Sequence, residues 1–262
     1  MDLSDSYANA AHIPKGDSYP DLWRDRRGRF LSAHGDRVSA LQWGPGTRHQ
    51  LQLVRPAGPA AGVLVFVHGG YWQAFSPGDF LHLAAGALAH GWAVALPGYD
   101  LCPEVRIGTI TSQVAAALTA LAEVTEGPMV LSGHSAGGHL VARMGCADVG
   151  MPGAVRDRIA RIVPISPLSD LRPLMRTDLN TALELDSAEA ETESPALHPA
   201  PEVPVHVWVG GDERPAFLDQ ARWLGAAWDC PVTVEPGRHH FDVIEGLERE
   251  SPLLTACLND AG

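Results

Sequence analysis

A chain of 262 residues with 45% hydrophobic and 19% charged residues has the composition of a folded globular protein and can bury one large core. Its net charge of −12 argues against nucleic acid as a partner, since phosphate binding needs clustered Lys and Arg. No apolar run reads as long enough to cross a bilayer, and the first residues lack the basic and apolar parts of a secretory leader, so no membrane contact and a cytoplasmic location are expected.

In chain order, residues 1–36 are polar and read as an irregular arm that wraps the surface without a core role. Within it the basic run Arg24 to Arg29 reads as a solvated entry loop. From Val38 the pattern changes: "VSALQW" and "QLQLVRP" alternate around "GPGTRH", as a hairpin with a longer loop does. The continuous apolar run in "GVLVFVHGG" then reads as a strand buried on both faces. After it, helix-period segments (77–90, 109–124, 136–147, 215–228 and 241–258) alternate with the strand runs "WAVALPGY", "PMVLSG", "IARIVPISP", "VPVHVWVGG" and "PVTVEPG". This alternation predicts βαβ units, and so a single α/β domain over 1–262 with a mostly parallel sheet of about eight strands and helices on both faces. Residues 168–204 form an acidic, Pro- and Ala-rich insertion of the length expected for a lid or active-site wall. Cys102, Cys146, Cys230 and Cys257 are widely spaced without a C-x-x-C pair, which suits buried reduced thiols better than disulfides or zinc ligands.

The chemistry-bearing stretch is "VLSGHSAGGHL". Gly133-His134-Ser135-Ala136-Gly137 is a G-x-S-x-G sequence at a strand-to-helix junction, where a strained turn presents the serine and small neighbours relieve crowding. A serine hydroxyl needs a base, and its acyl intermediate needs donors for an oxyanion. "VHGGYW" ends the earlier strand run where an oxyanion loop belongs, so the backbone N–H groups of Gly70, Tyr71 and Ala136 are the candidate donors, with His68 orienting the loop. In α/β-hydrolases the order is Ser, acid, His. The acid then falls at Asp212 or Glu213 and the base at His239 or His240, while His134 and His139 lie too close to Ser135 for that order.

"HGGYW", "YDLCPE" and "GHSAGG" together resemble the hormone-sensitive-lipase-like branch of the α/β-hydrolase fold, and within it the kynurenine formamidase (arylformamidase) group. The aromatic pair Tyr71-Trp72 after HGG is typical of that group. "YANAAHIP", "SPLSDLRPL", "DLNTALELD", "ERPAFLDQAR" and "HHFDVIEGL" agree with it, so the resemblance runs from about Tyr7 to Leu247. It implies Glu213 as the acid, in place of the more usual Asp and with Asp212 as the alternative, and it implies His240, directly before Phe241, as the base.

The resulting expectation is a serine hydrolase acting on a small acyl substrate through Ser135, His240 and Glu213, without metal or organic cofactor. It would release formate from N-formylkynurenine or a related formamide, with Tyr71, Trp72 and Phe241 walling a flat ring. A short-chain carboxylesterase or thioesterase is the alternative, followed by an inactive hydrolase-fold binding module. Dienelactone-hydrolase-like chemistry would want a cysteine where Ser135 stands. A homodimer is compatible with all of these.

Overall fold

A computed structural model describes residues 2–259. Eight strands, β1 (Val38–Gln42), β2 (Gln50–Val54), β3 (Val63–Val67), β4 (Ala93–Pro97), β5 (Met129–His134), β6 (Ile159–Ile165), β7 (Val207–Gly210) and β8 (Val232–Glu235), form one sheet. Their order is β1-β2-β4-β3-β5-β6-β7-β8. β2 runs against both its neighbours and every other pairing is parallel.

The uninterrupted apolar run of β3 follows from this placement. Successive side chains of a strand point to opposite faces. Val63, Val65 and Val67 accordingly enter one core with Leu118, Leu140 and Phe217, while Leu64 and Phe66 enter the other with Trp23, Phe80 and Ile244. Both faces are covered, so no position of β3 tolerates a polar side chain and all five residues are buried.

The helix Pro215–Trp228 matches its expected bounds, and Ile107–Val124 and Ala136–Gly145 match to within two residues at each end. Ile107–Val124 corrects one expectation, because by length and composition it is apolar enough to cross a membrane. Here Ile110, Val114, Leu118 and Leu121, spaced three and four apart, face the core. The segment 241–258 is not one helix. It divides into a 3₁₀ turn, Val243–Glu248, and a helix, Pro252–Leu258, started by Pro252 in its first turn and by the Ser251 hydroxyl, which accepts the Leu254 N–H at 3.0 Å.

The largest departure lies at the N-terminus. Residues 19–34 form a 16-residue helix, Tyr19–His34, and not an irregular arm, and the basic run Arg24 to Arg29 lies inside it and not in an entry loop. Only Trp23 and Phe30 of this helix are buried, and Arg26 forms ion pairs with Glu245 and Glu248. A two-residue apolar stripe is too sparse for periodicity to register, yet both side chains dock into the core on that face. The insertion 168–204 is also more regular than expected, with short helices at Asn180–Leu183 and Ser187–Thr192. It is tied to the body by Glu193, which accepts from Thr111 and Arg143, and by Glu189, which pairs with Arg106.

Candidate active site

β5 ends at His134, and Ser135 follows at φ 56°, ψ −116° before the helix Ala136–Gly145 begins. A non-glycine residue in this region is strained by about 1–3 kcal/mol, and the surrounding packing must hold it there. The Ser135 N–H donates to the Ile165 carbonyl at 2.9 Å. The flanking glycines allow the close approach: a Cβ on Gly133 would lie 2.3 Å from the Gly137 oxygen, and one on Gly137 would lie 1.9 Å from the Val67 oxygen. Any side chain at either position would push the elbow off β3. Ser135 is thereby presented to a cavity of about 780 Å³, which His240 and Phe241 also line.

Beyond β3 three consecutive residues have positive φ: Gly70 (103°), Tyr71 (51°) and Trp72 (57°). This folds the loop back beside Ser135, and the Gly70 carbonyl accepts from the Gln73 and Ala74 N–H groups. Neither the Gly70 nor the Tyr71 N–H meets a backbone acceptor among the described residues. His68 is buried, and desolvation pushes its pKa down to about 4, so it is neutral at pH 7. Its Nδ1 lies 2.8 Å from the Gly69 carbonyl and must therefore be the protonated nitrogen. Tyr99 donates to the His68 carbonyl at 2.8 Å, which fixes the loop from below.

Of the two candidate acids, the structure brings Glu213 to the histidine. β7 stops at Gly210, and Glu213 turns inward while Asp212 is exposed. Glu213 Oε2 lies 2.6 Å from His240 Nδ1, and Oε1 accepts from the Gly210 N–H at 2.8 Å and from the Ser166 hydroxyl. Those two donors hold the plane of the carboxylate against His240 Nδ1, so the imidazole is kept with hydrogen on Nδ1 and a lone pair on Nε2. His240 is 3% exposed and packs against the ring of Phe217 at 4.2 Å. His239 points elsewhere: its Nδ1 accepts from the Phe241 and Asp242 N–H groups, and its Nε2 lies 3.0 Å from the Tyr19 hydroxyl.

His134 and His139 are both buried. His139 is pushed down to about 3 by burial, and its Nε2 meets the Glu193 carbonyl at 2.6 Å. His134 lies against His240 at 4.6 Å, and burial first, then the neighbouring His240, lowers its pKa well below the ordinary value.

Among the expected aromatic walls, Tyr71 and Phe241 line the cavity but Trp72 does not. Trp72 is fully buried in the core, edge-on to His139 at 5.1 Å. Adjacent residues in this turn send their side chains in different directions, so one of the pair must leave the site. The wall expected from the insertion is supplied mostly by the N-terminus. Tyr7, Asn9 and Trp23 line the cavity, whereas Asp178 and Leu179 are the insertion's only contribution. Tyr71 donates its hydroxyl to the Tyr7 carbonyl at 2.6 Å, and Asp5 pairs with Arg214, the residue after Glu213. Sequence reasoning missed Ser166, Tyr99 and these N-terminal residues. The fragment "YANAAHIP" was the one signal for the last.

All four cysteines are free, and burial pushes their thiols up to about 11 or 12, so none is a ready nucleophile. Cys146, Asp148 and His198 approach within 4.8 Å of one another, but the Asp148 carboxylate is held bidentately by Arg143. A cation there would compete with a guanidinium already in place.

Comparison with known proteins agrees with this architecture. The sequence profile described as alpha/beta hydrolase fold matches residues 64–199. The kynurenine formamidase of Salmo salar is 28% identical over 234 residues, covering 83% of this chain and 79% of that protein. A Silicibacter sp. tm1040 protein described as a candidate thioesterase has a crystal structure with TM-score 0.96 and 51% identity, covering 98% of this chain and 99% of that one. Esterase B of Lactobacillus rhamnosis shares the fold alone, with TM-score 0.68 and 16% identity over 90% of each chain. With the matched profile spanning half the chain and hydrolases among its relatives, this protein belongs to the alpha/beta hydrolase family and is a hydrolase.

Proposed function

We propose that this hydrolase is an arylformamidase that acts through Ser135, His240 and Glu213. The observation that carries the proposal is the buried Glu213–His240 pair, 2.6 Å apart, whose histidine lines the same cavity as the strained Ser135. His240 Nε2 takes the Ser135 proton as the serine oxygen attacks the formyl carbon, and the charge on the tetrahedral oxygen is met by the Gly70, Tyr71 and Ala136 N–H groups. The C–N bond then breaks as His240 hands the proton to the leaving aryl amine. Water, deprotonated by His240, attacks the formyl-serine ester, and formate leaves with Ser135 restored. These steps use neither a metal nor an organic cofactor.

The kinship with kynurenine formamidases supports a formamide of an aryl amine, with N-formylkynurenine the foremost substrate. Tyr71, Phe241 and Trp23 offer flat apolar area to such a ring. The 51% identical candidate thioesterase favours a second reading, a short-chain carboxylesterase or thioesterase built on the same three residues. Formate release from N-formylkynurenine, compared with turnover of p-nitrophenyl acetate and butyrate and of short acyl thioesters, separates the two. Efficient ester or thioester turnover with no detectable formate would reject the formamidase reading, and loss of all turnover in Ser135→Ala is expected under either.

A further inference from the structure

We propose that the site selects its substrate by charge, accepting neutral and ammonium-bearing aryl acyl compounds and disfavouring those whose charged group is a carboxylate. This rests on the arylformamidase reading for its substrate series. The cavity is lined in part by the aromatic rings of Tyr7, Trp23, Tyr71, Phe75, Phe80 and Phe241, and among the described residues that line it there is no Lys or Arg. Two carboxylates, Asp17 and Asp178, stand on it, both exposed. Three arginines on neighbouring elements are turned to other partners, Arg214 to Asp5, Arg26 to Glu245 and Glu248, and Arg48 to the carbonyls of Phe75 and Tyr99, which leaves the exposed Lys15 as the cation beside Asp17.

A second observation points to the same ligand chemistry. Asn9 lines the cavity and is 6% exposed, and its Oδ1 has no hydrogen-bond partner. The orientation of its amide follows from Tyr71. That hydroxyl spends its proton on the Tyr7 carbonyl at 2.6 Å, so the Asn9 atom facing the Tyr71 oxygen at 3.5 Å is the NH₂. The carbonyl oxygen is left as an acceptor without a donor. A buried acceptor of this kind gains from an N–H and repels a carboxylate; the Gln73 amide nitrogen on the same lining also lacks a partner, but no neighbour fixes which way that amide is turned, as Tyr71 does for Asn9. An N-formylkynurenine-like substrate carries both an ammonium and a carboxylate, and the ammonium is the group this wall and rim accommodate.

The test uses ortho-formamidophenyl ketones that share one scaffold and carry a neutral, an ammonium or a carboxylate side chain. A parallel series of phenyl acetates bears the same three groups, and kcat/KM is measured for each at low and high salt. The expected order is ammonium, then neutral, then carboxylate, with at least tenfold between the extremes at low salt and a smaller ratio as salt screens the rim. Asp17→Asn and Asp178→Asn should each lower the ammonium-to-carboxylate ratio by about two- to fivefold, as befits exposed charges. Equal turnover across the three side chains, or a preference for the carboxylate, overturns the inference while leaving the formamidase reading intact. No turnover of the formamides with the same charge order among the esters rejects that reading and sustains the inference. No turnover in either series overturns both.

Discussion

Lowering the pH from 7 to 5 is expected to destabilise this protein through histidines that cannot charge in place. Burial pushes His68 and His82 down to about 4 and His139 to about 3, against an ordinary value of 6.5. All three are neutral in both folded and unfolded chains by about pH 8, so their contribution is complete there. Between 6.5 and 4 the unfolded chain binds protons that the folded one refuses, and stability falls as the pH falls. At pH 5 each such histidine costs about 2 kcal/mol, from ~1.4 kcal/mol per unit of difference. Together they cost about 6 kcal/mol, a large part of the ~5–15 kcal/mol that holds a domain together. His134 adds in the same direction. The assay is urea unfolding at pH 5, 6, 7 and 8, with His82→Leu as the control. Both ring nitrogens of His82 lack partners, so its replacement should remove about one proton from the pH slope. An unfolding midpoint that stays level from pH 7 to 5, or an unchanged slope in His82→Leu, would refute the assignment of these rings as buried and neutral.

Glu213→Gln should lower kcat by about 10³- to 10⁴-fold. Its Oε1 sits between two donors and its Oε2 faces a third, so an amide must turn an NH₂ toward a donor, whereas Asp212→Asn, on an exposed side chain, should stay within about twofold in the same steady-state assay. Gly137→Ala places a carbon on the Val67 oxygen and should cost more than about 3 kcal/mol, seen as insoluble protein or a collapsed thermal transition. Tyr71→Phe leaves the Tyr7 carbonyl without its donor, at a cost of about 1–3 kcal/mol. It should reduce kcat/KM and quicken proteolysis within residues 2–13 under native conditions, and unchanged digestion would remove this bond from the account.

The central sheet was legible because two-faced burial leaves a strong trace: "VLVFV" and "PMVLSG" can be little else than strands covered on both sides. Ser135 was legible because the glycines at 133 and 137 answer a steric demand that shows in the sequence. The choice between Asp212 and Glu213 was legible only through the family resemblance, which favoured Glu213, since the residues themselves do not show which side of a turn faces the Ser166 hydroxyl, 47 residues away in sequence. Trp72 read as a wall because an aromatic pair carries no sign of direction, and only the successive positive φ values send it into the core. The helix Tyr19–His34 was hidden for a different reason: eleven positions separate Tyr19 from Phe30 with Trp23 the only fully buried residue between, so its fold is dictated by the surface it meets and not by its own pattern.

The roof over Ser135 comes from the beginning of the chain, and its anchor points come from the end. Leu3 and Ser4 are bonded to residues 176 and 178, Asp5 to Arg214, and Tyr19 to His239. During synthesis the first thirty residues therefore leave the ribosome long before their docking partners exist, and the pocket closes only once residue 240 has emerged. Ser4 itself lines the cavity, so a label carried on its side chain would stand in the substrate's space.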